Sequence, residues 1–77
     1  MKTTQQKKVS RNFTFTSKFN AKYNFVLVLV NKDGSICAFN KSETYENCYK
    51  QLVFWQDKYA YQNEVEKWVI DELVFEN

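Results

Sequence analysis

The sequence predicts a small α+β domain: a small, mostly antiparallel sheet in the order β-β-β-α-β, with one amphipathic helix packed on one face. Three observations predict it. Residues 12–19 alternate Phe13, Phe15 and Phe19 with Asn12, Thr14, Thr16 and Lys18, the period of two of a half-buried strand. Residues 23–31 contain the run Phe25-Val26-Leu27-Val28-Leu29-Val30, whose β-branched content argues against a helix. Beyond residue 42 the apolar spacing lengthens to that of a helix.

Taken in order, residues 1–11 show no apolar periodicity and read as a flexible basic tail, leaving residues 12–77 as a single domain. The strand at residues 12–19 buries its phenylalanine side. The strand at residues 23–31 is apolar on both sides, with Val26, Val28 and Val30 against Phe25, Leu27 and Leu29, which places it inside a sheet or under a partner. Asn31-Lys32-Asp33-Gly34-Ser35 reads as a hairpin loop. Its Gly34, the only glycine of the chain, is expected to take the left-handed conformation after a type I turn. A short third strand follows at residues 36–39.

Lys41-Ser42-Glu43 marks a helix start, with Ser42 as N-cap and Glu43 and Glu46 near the positive end of the dipole. At about 100° per residue, Tyr45, Cys48, Tyr49, Leu52, Val53, Trp55 and Tyr59 share one broad arc that is expected to cover the sheet. Glu43, Asn47, Lys50, Gln51, Asp57 and Lys58 point away. A helix over residues 65–75 sets Glu72 and Glu76 inside the arc of Val65, Trp68, Val69 and Leu73, and throws Ile70 and Val74 to the opposite side. A strand there puts Trp68, Ile70 and Val74 on one face and Val69, Leu73 and Phe75 on the other, and the strand is preferred. A right-handed crossover through the helix then sets this last strand parallel to the first.

Composition bounds the function. A chain of 77 residues with 44% hydrophobic and 18% aromatic residues and a net charge of +2 folds rather than staying disordered. Its longest apolar run, residues 25–30, is far short of the roughly 20 residues of a membrane helix, so no membrane partner is expected. Nor does that run have the position or flanks of a signal peptide. A cytoplasmic location follows as the expectation, with Cys37 and Cys48 reduced and each read as a small buried hydrophobe.

Histidine is absent, which removes the usual general base, the commonest zinc ligand and every Ser-His-Asp or Cys-His arrangement. Two cysteines eleven residues apart make neither a four-cysteine zinc site nor a CxxC motif. One glycine makes no phosphate-cradling loop. Glu64, Glu66, Asp71, Glu72 and Glu76 crowd the C-terminal region and read as a solvated surface rather than an acid–base pair or a cation site. No catalytic residue, cofactor or metal is expected, and the chain reads as a binder rather than an enzyme.

Three features point to a partner. Phe54 lies about 180° from Tyr45 on the helix, flanked by Lys50 and Lys58 one turn either side, and this stripe suits a protein partner. The sheet face left by a single helix is the second, to be closed by a homodimer contact or by the N-terminal segment. The third is a basic arm, Lys2, Lys7, Lys8, Arg11, Lys18 and Lys22, interleaved with aromatics in the manner of a nucleic-acid binder. Against that reading, ten lysines accompany a single arginine. Charge is also uneven, with seven bases and one acid in residues 1–40, and four bases and eight acids in residues 41–77. The halves either attract each other across the fold or present a basic arm to an anionic partner.

Richness in Lys, Asn, Phe and Tyr suits an AT-rich genome. The expected function is therefore a non-enzymatic protein-binding module, of the kind a phage or mobile element uses to inhibit or regulate a host factor. A nucleic-acid-binding protein and a homodimeric structural protein are the alternatives.

Overall fold

The computed structural model describes residues 7–60 and 62–76. They form β1 (Lys7–Ser10), β2 (Phe19–Asn20), β3 (Phe25–Asn31), β4 (Ile36–Ser42), α1 (Tyr45–Lys58) and β5 (Val65–Phe75). The five strands make one sheet in the order β2-β1-β5-β3-β4, every neighbouring pair antiparallel, with α1 packed against it. This is the small α+β architecture expected of the sequence.

Several elements differ from the sequence reading. Lys7–Ser10, read as tail, is a strand, because Lys8, Val9 and Ser10 pair with Phe75, Val74 and Leu73 of β5. Residues 1–6 lie outside the described residues. The strand expected at residues 12–19 is an irregular connection of which only Phe19 joins the sheet. β5 runs antiparallel to β1 rather than parallel to the chain's first strand. β4 extends to Ser42, which is buried, so the N-cap falls to Thr44 instead. Thr44 is extended (φ −124°, ψ 148°), and its Oγ1 accepts from the Asn47 N–H at 3.2 Å. Gly34 takes φ +92°, the left-handed turn conformation the hairpin was expected to need.

Both faces of β3 are covered. Leu27 and Leu29 pair with Ile70 and Trp68 on the face under α1, where Phe39 meets Trp55 and Tyr59 of the helix. Val26 and Val28 lie on the other face in a cluster with Phe19 and Leu73, against which Phe13, Phe15 and Tyr23 pack. Val26, Leu27 and Val28 are 0% exposed. Each such side chain contributes roughly 1.5–3 kcal/mol of burial free energy. The face for which the sequence suggested a homodimer contact is thus closed by the N-terminal segment. The phenylalanine alternation in residues 12–19 serves that closure, not a strand ladder.

One buried carboxylate holds the covering segment in place. Asp71 pairs with Val26 on the phenylalanine face and is 3% exposed. It accepts from Ser10 Oγ, from the Asn12 N–H at 2.8 Å and from Asn12 Nδ2 at 2.6 Å. Burial pushes the Asp71 carboxyl up, but donors from Ser10, Asn12 and the Glu72 backbone outweigh it and hold the group below its usual range. The chain leaving β1 is thereby fixed where it turns across the sheet. Beside it, buried Lys8 donates to Asn24 Oδ1 at 2.6 Å and stands 4.9 Å over the Phe75 ring.

Candidate partner-binding surface

Phe54 projects from α1 and is 50% exposed. Its ring stands edge-on to Trp55 at 5.0 Å, and Trp55 in turn meets Phe39 of β4 at 5.0 Å. Phe39 continues the series to Tyr59 at 5.4 Å and to Trp68 of β5 at 5.2 Å. Edge-to-face pairs of this kind are worth about 0.5–1.5 kcal/mol each beyond area burial. The Trp55 indole is oriented by its Nε1 donating to Gln51 Oε1 at 3.2 Å. An exposed phenylalanine therefore rests on a ladder of rings that reaches the sheet.

The flanking cations differ. Lys58 Nζ stands 5.1 Å above the Phe54 ring, close enough for cation–π attraction. Lys50 is exposed one turn earlier on the same helix side. The sequence-predicted trio thus sits on one strip of surface.

The apolar arc of α1 is rotated from its expected position. Cys48 is buried and Leu52, Trp55 and Tyr59 are half-buried, but Tyr45, Tyr49 and Val53 are exposed. The helix meets only as wide a strip as the pleated sheet offers, and the seven residues assigned to the arc exceed that strip. Tyr45 keeps one contact, edge-on to Phe25 at 5.7 Å.

The basic arm is dispersed. Lys2 lies outside the described residues. Lys7 and Lys8, neighbours on β1, face opposite sides of the sheet, Lys7 exposed and Lys8 buried. Arg11 Nη1 donates to Glu72 Oε1 at 3.1 Å, Lys18 pairs with Glu76, and Lys22 stands 5.2 Å over the Tyr23 ring. Two of these bases, Arg11 and Lys18, thus pair with acids of the second half across the fold. Glu72 and Glu76 keep about half of their side chains in water, as read from sequence, whereas Asp71, read with them as a solvated surface, is buried on Ser10 and Asn12.

Cys48 is buried, and that burial pushes its thiol up, whereas Cys37 is exposed on β4, contrary to its reading as a buried hydrophobe. A shallow cleft of about 260 Å³ lies between Phe13, Phe15, Phe19, Lys18 and Glu76. A second, of about 410 Å³, lies between Leu52, Gln56 and Tyr59 of the helix and Val65 and Trp68 of β5. Sequence reasoning missed Trp55 and Phe39 as the support of Phe54. A non-local ring contact leaves no trace in helical spacing alone.

Comparison of the chain with models of known protein families, with curated proteins and with solved structures gives no match in any of the three.

Proposed function

We propose that this chain is a non-enzymatic protein-binding module that contacts its partner through the Lys50, Phe54 and Lys58 strip of α1. In this reading it serves as an accessory protein, of the phage or mobile-element kind, that inhibits or regulates a target in the cytoplasm. The observation that carries it is the ladder from Phe54 through Trp55 to Phe39. A large apolar ring that is exposed yet already held in place loses little conformational freedom on binding, as a contact anchor should. The two lysines add a positive rim that steers an acidic partner. The nucleic-acid alternative has weaker support, since Lys8, Arg11 and Lys18 are engaged with Asn24, Glu72 and Glu76.

The test is affinity capture from cells of the source organism with the wild-type chain and with Phe54→Glu, beside thermal unfolding of both. The expected outcome is a protein retained by the wild type and lost with Phe54→Glu, at a nearly unchanged melting temperature. A partner held equally by both chains, or one whose retention falls steeply with salt and needs nucleic acid, overturns the reading.

A further inference from the structure

Beside Phe54 runs an edge of the sheet. Among the described residues β4 is paired on one side only, to β3, and its seven residues contain no proline. The Asn31 N–H donates to Ser35 O at 2.9 Å, which sets the alternation of the hairpin. In the register Leu29↔Cys37 and Val28↔Ala38, Cys37 turns its backbone groups toward β3, while Ile36 and Ala38 turn theirs outward. The register shift falls between Leu27 and Val28, opposite Phe39, so the stretch from Ile36 to Ala38 stays regular. Outward N–H and C=O groups in a row are a template for a further strand.

α1 lies over β3, β4 and β5 and turns its Phe54 side toward this edge. Leu52, Gln56 and Tyr59 line the cleft against β5, while Trp55 meets β4 through Phe39. Turning around the helix from Gln56 through Leu52 to Trp55 thus moves from β5 toward β4, and the same rotation next brings Gln51, Lys58 and Phe54. Tyr45 sits over Phe25, opposite Ser42, and Tyr59 over Phe39, so α1 runs back along β4. Lys50, Phe54 and Lys58 are spaced about 6 Å apart along the helix axis. Alternate residues of an extended strand are about 6.6 Å apart, nearly the same interval.

We propose that the partner contributes an extended segment that adds to β4 as a sixth strand and carries an apolar residue with acidic residues two before and two after it. The apolar side chain rests on Phe54, and the two carboxylates face Lys50 and Lys58. Charge decides against a second copy of this chain as the occupant. Pairing β4 with itself brings the Lys50 and Lys58 strip of one helix against that of the other across the two-fold axis, and the sequence of β4, ICAFNKS, carries no acid to meet them.

The proposal rests on the reading of the Phe54 strip as the partner contact, and its test separates the two. Short peptides with the core Glu-Thr-Phe-Thr-Glu, or with lysine replacing both glutamates, are titrated into the isotope-labelled protein, and amide exchange is read at Ile36 and Ala38. The acidic peptide is expected to bind about tenfold more tightly than the lysine peptide and to protect both amides. Lys50→Glu with Lys58→Glu is expected to reverse that preference. Ala38→Pro removes one outward N–H at an edge position that tolerates proline, and is expected to weaken the peptide about tenfold. If Ala38→Pro fails to fold, methylating alternate peptide nitrogens tests the reciprocal hydrogen bonds, those the peptide donates to the outward carbonyls of β4, and is expected to weaken binding to a similar degree. Equal affinity for the two peptides, no binding at millimolar concentration, or a dimer in light scattering that Ala38→Pro abolishes overturns the proposal. A cellular partner retained by Ala38→Pro but lost with Phe54→Glu overturns it while leaving the partner reading intact.

Discussion

On one side of the sheet, α1 satisfies its own backbone and lays a strip of mixed apolar side chains over β3, β4 and β5. On the other, residues 11–18 form an irregular cover whose phenylalanines insert into the sheet while its start hangs on the side chain of Asp71. The two covers bury comparable partners, Leu27 and Leu29 on one face and Val26 and Val28 on the other. They differ in what fixes them. A helix is a cooperative unit set by its caps and its spacing, whereas the irregular cover depends on a few long-range contacts, each open to deletion.

The sharpest way to break this comparison is Phe19→Ala, which removes the β2 ring on which the irregular cover packs. It is expected to cost about 3–5 kcal/mol in urea unfolding, as for a buried phenylalanine elsewhere. A loss below about 1 kcal/mol would mean that the segment lies loosely on its face.

Asp71→Ala comes next. It strands the Ser10 and Asn12 donors and is expected to cost about 2–3 kcal/mol, with faster amide exchange at Asn12. The acid dependence has a definite sign. Because the folded carboxyl is held below its usual value, its stabilisation is fully present above the unfolded pKa of about 4. It is lost as pH falls through the folded value. Asp71→Asn should therefore flatten the fall of stability below pH ~4.

On the helix side, Thr44→Ala removes the N-cap and is expected to cost about 1 kcal/mol, seen as fraying of the first helical turn in circular dichroism. Phe54→Ala should cost the least, under about 1 kcal/mol, because half of the ring faces water and only its edge contact with Trp55 and its contact with the exposed Lys58 cation above it are lost.

The same contrast explains what the sequence disclosed. Elements defined by their own periodicity were legible. The run from Phe25 to Val30, the turn at Gly34 and the opposed faces of Val65–Phe75 all stand where local spacing puts them. β1 was not legible, since Lys7-Lys8-Val9-Ser10 carries a single apolar residue and becomes a strand only by pairing with β5. The alternation of Phe13, Phe15 and Phe19 was genuine, but it reports which side chains reach the core, not whether their backbone joins a ladder. The signal for Asp71 was present and passed over. It interrupts the apolar series Val69, Leu73 and Phe75 on one side of β5, and a lone polar residue at the buried centre of such a series needs buried donors. For the candidate surface, spacing gave Lys50, Phe54 and Lys58 as a strip. The ring support beneath them and the neighbouring sheet edge depend on contacts between distant residues.

The position of β5 has a consequence for how the molecule comes into being. β5 is the third strand of five across the sheet, paired with both β1 and β3, yet it is the last of the described elements to leave the ribosome. Until residues 65–75 emerge, β1 lacks its principal neighbour, and β3 waits with one edge open and the Leu73 part of its core missing. The nascent chain therefore carries an apolar strand that nothing yet completes, exposed to chaperones and proteases, and folding closes only after synthesis of β5.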